Sequence, residues 1–410
     1  MAAAYGQIRN PVLERTELFL VTLMVFFAPM NYLRLSSLYF TLSDVTGLFA
    51  LLLVIVNRRL PLNFFGAATG LWLFSFALFT GGLLIGSLVN GSMTSGIVIF
   101  VQYTYSMILI PIVLASRPFE QTVMLTKVFV LGVAVTMLHG AYLVHFADDP
   151  PVRLVSGSGR LRSLIERENA AAGLAAICIT FTLWLFFVKR ISLPLCLLLF
   201  AALFYGVLLT GSNTGIIATV IGISSLVLFS RSRKLVFATL GLGVLAVVVT
   251  LNWGDLFLPE VFQKRVLGAL ESGDLQKAGT FEDRLYLIRE ALGIANDRLF
   301  IGLGADQYRV LSEHSAPVHN AYLLILSEGG LMSLIGMAGL ILTGMYLGTA
   351  AMRENHSYMT GVLTITIVVL FALMLNAFAH FYARFWNVPW VLALALSVAH
   401  AGYQPDPDDM

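Results

Sequence analysis

Basic residues are concentrated in one polar stretch of this 410-residue chain, and that stretch ends at a histidine. It runs from Asn252 to Val318, between apolar sequences, and His319-Asn320 stand where the next apolar run begins. Guanidinium groups bind phosphate oxygens in a bidentate manner, and a neutral imidazole accepts a proton near neutral pH. A basic loop that ends in a histidine at a membrane surface predicts chemistry on an anionic, lipid-linked substrate. The basic residues of this polar stretch are Lys264, Arg265, Lys277, Arg284, Arg289, Arg298 and Arg309.

Each of these residues also has a plainer interpretation. Asn320 could simply cap a solvated helix start, with His319 exposed beside it. Lys277, Arg298 and Arg309 fit solvated surface charges. A second basic loop earlier in the chain contributes Arg153, Arg160, Arg162 and Arg167.

Two helices are predicted to position the arginines of the long stretch. Pro259 suits a first helical turn, and Arg265 borders the apolar stripe that follows. A second helix is predicted from Thr280, with Asp283 completing an approximate capping box. Arg284 would lie near its positive end, where the macrodipole supports anion binding. The predicted stripes are Val261, Phe262, Val266, Leu267 and Leu270 in the first helix, and Leu285, Ile288, Leu292 and Ala295 in the second.

Arg289 and Arg284 are five residues apart, hence roughly 140° apart around a helix axis. Only one of them is expected to face a given site, and Arg284 is preferred. Arg289 with Glu290 is predicted to form an exposed helical pair.

The composition identifies an integral membrane protein. The chain is 58% hydrophobic and 12% charged, with a mean hydropathy of +0.85, whereas soluble domains carry about 25% charged residues. Recurrent apolar runs of about 20 residues predict an all-α transmembrane bundle. A net charge of +2 gives no argument for nucleic-acid binding. Cys178 and Cys196 fall inside apolar runs and are predicted to be small core residues.

Twelve spans and a tail are predicted. Residues 1–251 hold nine spans and a short basic loop near 147–168, residues 252–318 form the long loop, and residues 319–402 hold three more. Residues 403–410 form an acidic tail. The spans are expected near residues 17–34, 38–56, 64–89, 96–115, 123–146, 170–188, 192–210, 212–230, 235–251, 320–350, 358–378 and 384–402.

The tenth span is long enough to tilt or to break at Gly329-Gly330. Short loops on one side carry most of the remaining Lys and Arg, so that side and both termini are predicted to be cytoplasmic. The two basic loops then lie outside.

Few other polar residues fall within the spans. Asp44 and Glu328 are costly in lipid and are expected to face a cavity or a partner. His380, like His139 and His145, lies near a span end and is interpreted as a packing residue, while His314 is a weaker catalytic candidate than His319. No metal-ligand spacing occurs, so no metal or cofactor is expected.

The strongest motifs occur in the order Arg284-Leu285 with Ala291-Leu292 downstream, Gly302-Leu303-Gly304, His319-Asn320-Ala321-Tyr322-Leu323 and Glu328-Gly329-Gly330-Leu331. With Ser43-Asp44 and the segment from Arg160 to Asn169, they resemble the O-antigen ligase and polymerase superfamily of bacterial inner-membrane glycosyltransferases over nearly the whole chain. Many members carry an arginine after the serine of the turn at Ser212, where this chain has Asn213. If that arginine binds phosphate in the family, Arg160 or Arg162 must replace it here, or the contact is absent.

The resemblance implies a donor glycan on undecaprenyl pyrophosphate, lipid A core oligosaccharide as acceptor, and a periplasmic site among membrane lipids. Arg265 and Arg284 would hold the pyrophosphate and His319 would act as general base in an inverting transfer. The substrate-binding residues would be Arg160, Arg162, Asn320 and Tyr322.

Two alternatives stay open. A polymerase would use the same donor with a second lipid-linked glycan as acceptor. A transporter would be expected to show internal repeats and charged residues near mid-span, and the chain has no convincing repeat.

Overall fold

Long apolar helices account for most of the computed structural model, which describes residues 11–35, 40–268 and 281–402; the side chains of residues 281–284 are not described. The first nine helices are α1 (Pro11–Phe27), α2 (Leu42–Val56), α3 (Thr69–Val89), α4 (Met93–Leu114), α5 (Phe119–Phe146), α6 (Glu168–Phe187), α7 (Leu193–Thr210), α8 (Asn213–Leu228) and α9 (Arg233–Phe257). Then come α10 (Glu260–Phe262), α11 (Phe281–Asp297) and α12 (Tyr308–Leu311), followed by α13 (Ala321–Ala351), α14 (Tyr358–Met374) and α15 (Arg384–Ala401). The 3-10 turns are Gly66–Ala68 and Ser163–Ile165.

The prediction of an all-α polytopic protein is confirmed. Within the described ranges, seven helices are long and apolar enough to cross a membrane, namely α3, with the turn before it, α4, α5, α6, α7, α9 and α13. Three more apolar helices, α2, α8 and α14, are shorter. Helices α6 and α15 are almost entirely buried and form the centre of the bundle. Cys178 and Cys196 are buried free thiols, as predicted.

The first two helices end and begin elsewhere than predicted. Helix α1 stops at Phe27 because the chain then turns into a short antiparallel pair, β1 (Arg34–Leu35) with β2 (Phe40–Thr41). Thr41 and Asp44 form a capping box that starts α2. Asp44 is also ion-paired with buried Arg384, which in turn donates to Gln102 at 2.7 Å. The expectation that Asp44 faces a partner is therefore confirmed.

Helix α13 is broken at Gly330, which is one of the two outcomes predicted for this span. Gly330 has φ 66° and ψ −170° inside an otherwise helical run, a combination that is essentially restricted to glycine. Its first half accepts two backbone hydrogen bonds from the preceding loop, from Leu303 N to Ser327 O at 2.9 Å and from Gly304 N to Glu328 O at 2.8 Å. The break therefore fixes the loop that precedes α13 against the helix itself.

Helix α9 contacts the bundle very little. None of its most apolar 18-residue window is buried, so its side chains suit a lipid environment. It ends at Phe257, with Leu258 as its C-cap, and α10 then passes into a π-helical turn, Gln263–Leu267. The predicted apolar stripe extends to Leu270, whereas the structure describes this segment only as far as Gly268, so Leu270 lies outside the described residues.

Candidate functional site

Arg160 lies at the turn between α7 and α8. Its segment folds back onto the bundle, where Leu161 N donates to Leu209 O at 3.0 Å and Val155 and Leu161 form a β-bridge. Arg160 Nε donates to Thr210 O at 2.8 Å, and Nη2 lies 3.4 Å from Asn169 Oδ1. The guanidinium is thereby held at the end of α7.

Ser212 joins the same network. Its hydroxyl caps α8 by accepting from Gly215 N at 3.2 Å and donates to Asn169 Oδ1 at 2.9 Å. Arg160 thus lies beside the Ser212-Asn213 turn. Arg162, by contrast, lies 3.0 Å from Glu168 and donates to Val152 O at 3.1 Å. Of the two arginines left open by the sequence, Arg160 is the one at this turn.

Arg265 reaches the same turn from the π-helical turn that follows α10, and α10 itself packs against α7. Gly211 has φ +55°, and a Cβ at that position would lie 3.4 Å from Arg265 Cδ and 2.7 Å from Val261 Cγ1. The structure therefore brings Arg160 and Arg265, which are 105 positions apart, to one turn. The N-terminus of α8 is also there, and its free N–H groups and dipole favour an anion. We call Arg160, Asn169, Gly211, Ser212 and Arg265 the turn cluster.

Helix α11 positions Arg284 in its first turn, although that side chain, the cap predicted at Thr280 and Lys277 lie outside the described parts. The buried face of α11 agrees with half of the predicted stripe, since Ala295 is 3% exposed and Ile288 packs against the apolar cluster of this face. Leu287 and Ala291 are 6% and 0% exposed, whereas Leu285 and Leu292 are 38% and 50% exposed. The face is set by packing on Val318 and Leu324, contacts that periodicity alone does not define. Arg284 precedes Ala291 by seven residues and so shares its register on the helix.

The predicted exposed pair of Arg289 and Glu290 is wrong. Glu290 accepts from Tyr308 at 2.7 Å, from the Ser312 hydroxyl at 2.9 Å and from Glu313 N at 3.0 Å. Burial opposes ionisation, but these hydrogen bonds outweigh it and lower the pKa of Glu290 below 4.5. Glu290 therefore holds the 308–313 loop against α11.

His319 is exposed at the mouth of α13. The preceding Val318 is 1% exposed and packs with Leu287 and Ala291 of α11. The histidine backbone is thus fixed beside the helix whose first turn holds Arg284. The arrangement leaves the imidazole at the surface rather than in the apolar core.

Asn320 and Tyr322 make polar contacts within the fold. Asn320 caps α13 by accepting from Leu323 N at 3.1 Å and also lies 3.1 Å from Asn376 Oδ1, which confirms the helix-cap interpretation. Tyr322 donates to Ala372 O at 2.8 Å. Both side chains position the start of α13, and their role as substrate ligands stays a prediction.

Glu328 is buried, and its carboxylate accepts hydrogen bonds from the loop before α13. It accepts from Tyr308 N at 3.2 Å and also from the backbone of Asp306 and Gln307. The expectation that this carboxylate faces a partner is confirmed. Sequence reasoning missed Asp306, which the bent 304–308 loop presents at φ 60°.

A cavity of about 280 Å³ lies at the opposite end of the bundle, among α1, α2 and α4. Its charged lining is paired internally, Arg117 with Glu17 and Arg59 with Glu14. It is remote from the turn cluster and from His319, and its ion pairs tie helix ends together.

Comparison with known proteins gives one family. Residues 196–341 match the family model described as O-antigen ligase. The matched segment begins in α7 and ends in α13, so it contains the Ser212 turn, Arg265, Arg284 and His319. The resemblance inferred from the motifs is confirmed for this segment. No curated protein matches the chain.

Proposed function

We propose, from the match of residues 196–341 to the O-antigen ligase family model, that the protein transfers a glycan from undecaprenyl pyrophosphate to lipid A core oligosaccharide. It would do so as a multi-pass protein of the bacterial inner membrane. With both termini cytoplasmic, as the loop charges predict, the turn cluster and His319 face the periplasm.

The observation that supports this proposal best is the meeting of Arg160 and Arg265 at the α7–α8 turn. When the anomeric C–O bond of the donor breaks, the electron pair stays on the departing pyrophosphate. Two guanidinium groups beside a helix N-terminus stabilise that charge through bidentate hydrogen bonds. Arg284 would complete the phosphate site from α11, and Arg162 would support the loop through Glu168.

His319 would act as the general base. It takes the proton of the acceptor hydroxyl as that oxygen bonds to the anomeric carbon, opposite the departing pyrophosphate. Direct displacement inverts the anomeric centre. The sugar–pyrophosphate bond is already activated, so the reaction needs no nucleotide, and the arginines supply the charge stabilisation that a metal would otherwise provide.

His319→Ala should abolish transfer while protein level and donor binding persist. The matched control is His314→Ala, because His314 lies in the same loop and packs on Tyr286, with ring centroids 4.9 Å apart. It should retain activity. Transfer by purified His319→Ala protein at the wild-type rate would remove His319 from the mechanism.

The reaction itself is tested by giving detergent-solubilised protein lipid-linked donor together with lipid A core. Glycan-capped lipid A core would identify a ligase, and a lengthened donor would identify a polymerase. Neither product would form if the protein were only a transporter, since a detergent solution has no compartments.

A further inference from the structure

Residues 375–383, between α14 and α15, form an irregular segment with a pattern of buried and half-buried side chains. Phe378 and Phe381 are 5% and 1% exposed. Phe378 stacks on Trp386 with ring centroids 4.4 Å apart, and Ala321 N donates to Leu375 O at 2.8 Å. The segment is therefore firmly attached to the bundle and to the start of α13.

His380 and Tyr382 are the half-buried members of this pattern. Their ring centroids are 5.4 Å apart at 32°, and the Tyr382 ring meets buried Tyr103 edge-on at 5.6 Å. Among the residues that the structure describes, neither the His380 nitrogens nor the Tyr382 hydroxyl has a hydrogen-bond partner. Two aromatic rings with unused polar groups are thus held rigidly at a partly open surface.

A charged pair acts on both rings. Asp306 is fixed by the loop that Glu328 holds, and Arg309 binds its carboxylate as a fork at 2.6 and 2.7 Å. The charges of Asp306, Arg309 and Arg167 all act on His380 and Tyr382. Burial is the main cause that lowers the pKa of His380 to about 4, so its imidazole is neutral at physiological pH and can both donate and accept.

We propose that His380, Tyr382 and the Asp306–Arg309 pair form a saccharide subsite, which we call the ring subsite. The assignment rests on the proposed function, since it gives that reaction a place for a sugar beside its active site. The aromatic rings would pack on the apolar face of a pyranose, and the imidazole and the carboxylate–guanidinium fork would bind neighbouring hydroxyls.

The location supports this chemistry. His380 follows Ala379, which packs in the same apolar cluster as Val318, the residue before His319. The sugar could belong to the acceptor core or to the donor glycan.

Steady-state kinetics distinguish these two sources. The wild type is compared with the His380→Ala and Asp306→Asn variants. For each protein, the acceptor concentration is varied at saturating donor, and the donor concentration is then varied at saturating acceptor. Loss of one hydrogen-bonding group should raise the KM of one substrate about tenfold with kcat little changed. A rise for lipid A core assigns the subsite to the acceptor, and a rise for the donor assigns it to the donor glycan. Unchanged KM values for both substrates would overturn the proposal.

Two further variants separate binding from folding. His380→Gln keeps a donor and an acceptor and should recover much of the affinity lost in His380→Ala. His145→Ala is the control, because His145 is exposed at the same end of the bundle and already lies 2.6 Å from the Tyr205 hydroxyl. It should leave both KM values unchanged.

A binding measurement without turnover keeps the subsite distinguishable from the proposed reaction. Saturation-transfer NMR would use nanodisc-embedded His319→Ala protein with deacylated core oligosaccharide, and separately with the free glycan of the donor. The same measurement is made on protein that carries both His319→Ala and His380→Ala. A signal from either probe that is present in the first protein and absent in the second supports the subsite even if no ligation occurs. Equal signal in both proteins, or no signal from either probe, would refute it.

Discussion

Gly211→Ala should disable the turn cluster without adding or removing a charge. Gly211 has φ +55°, and an alanine in this left-handed region costs about 1 kcal/mol. The new Cβ would also lie 2.7 Å from Val261 Cγ1, whereas carbon atoms in contact are about 3.5–4.0 Å apart. The segment that holds Val261 and Arg265 must therefore retreat by roughly 1 Å.

A displacement of that size is large for a charge-stabilising group. Misplacing a catalytic contact by about 1 Å can reduce the rate about 100-fold, so we expect kcat/KM to fall by about that factor. The assay uses purified protein, lipid-linked donor and lipid A core, with thermal unfolding measured on the same sample.

Gly66 offers a matched control. It has nearly the same φ, +56°, but a Cβ built there meets nothing within 4 Å. Gly66→Ala should therefore show the same backbone strain in thermal unfolding with unchanged turnover. Val261→Ala removes the clashing methyl groups and should restore much of the activity when combined with Gly211→Ala.

The refuting result is specific. If Gly211→Ala matches Gly66→Ala in both stability and turnover, then Arg265 does not act at the α7–α8 turn. Loss of activity that Val261→Ala fails to relieve would refute the steric explanation.

Three further predictions concern α11 and the start of α13. Arg284→Lys should lower kcat/KM at least tenfold, because an ammonium group cannot reproduce the guanidinium fork; wild-type transfer would leave Arg284 only a structural role. Asn320→Ala should cost about 1 kcal/mol of stability through loss of the helix cap, and Asn320→Ser should recover most of it in thermal unfolding, whereas equal losses would exclude the cap as the cause. The pKa of Glu290 is lowered in the folded protein, so its stabilisation of the 308–313 loop is complete above 4.5 and is lost as the pH falls through the folded pKa. Proteolysis of that loop should accelerate on acidification in the wild type but not in Glu290→Gln, and a parallel response in both proteins would contradict this role.

Helix number and position were largely predictable because long apolar runs have one physical outcome in a membrane. The break at Gly330 was predictable too, since adjacent glycines weaken a long helix. The hairpin between α1 and α2 was not, because its two-residue strands leave no periodic signal. Only part of the buried face of α11, namely Ile288 and Ala295, was predictable. Several registers of that sequence are apolar, and only Val318 and Leu324 select the buried one.

The site was predictable in residue types but not in partners. The sequence does not choose between Arg160 and Arg162 as the arginine at the turn. The choice depends on contacts with Thr210 and Asn169. Thr210 is distant from both arginines in the chain, and Asn169 is close to both, so neither residue favours one arginine in the sequence. A lone histidine belongs to no motif, so the sequence predicts only a packing role for His380. Its unused nitrogens became visible only with the segment between α14 and α15 in place.

The crossing of α3 with the broken helix α13 has a consequence for how the molecule opens. At Gly86 an added methyl would lie 2.7 Å from Glu328 O, and at Gly336 it would lie 2.2 Å from Phe79 N. Main chains meet there with almost no side-chain atoms between them, so no rotamer change can absorb a small separation. The contact between α3 and α13 therefore either stays closed or separates as a whole. The loops attached to these helices belong to the same cooperative unit as the membrane core and do not fray independently.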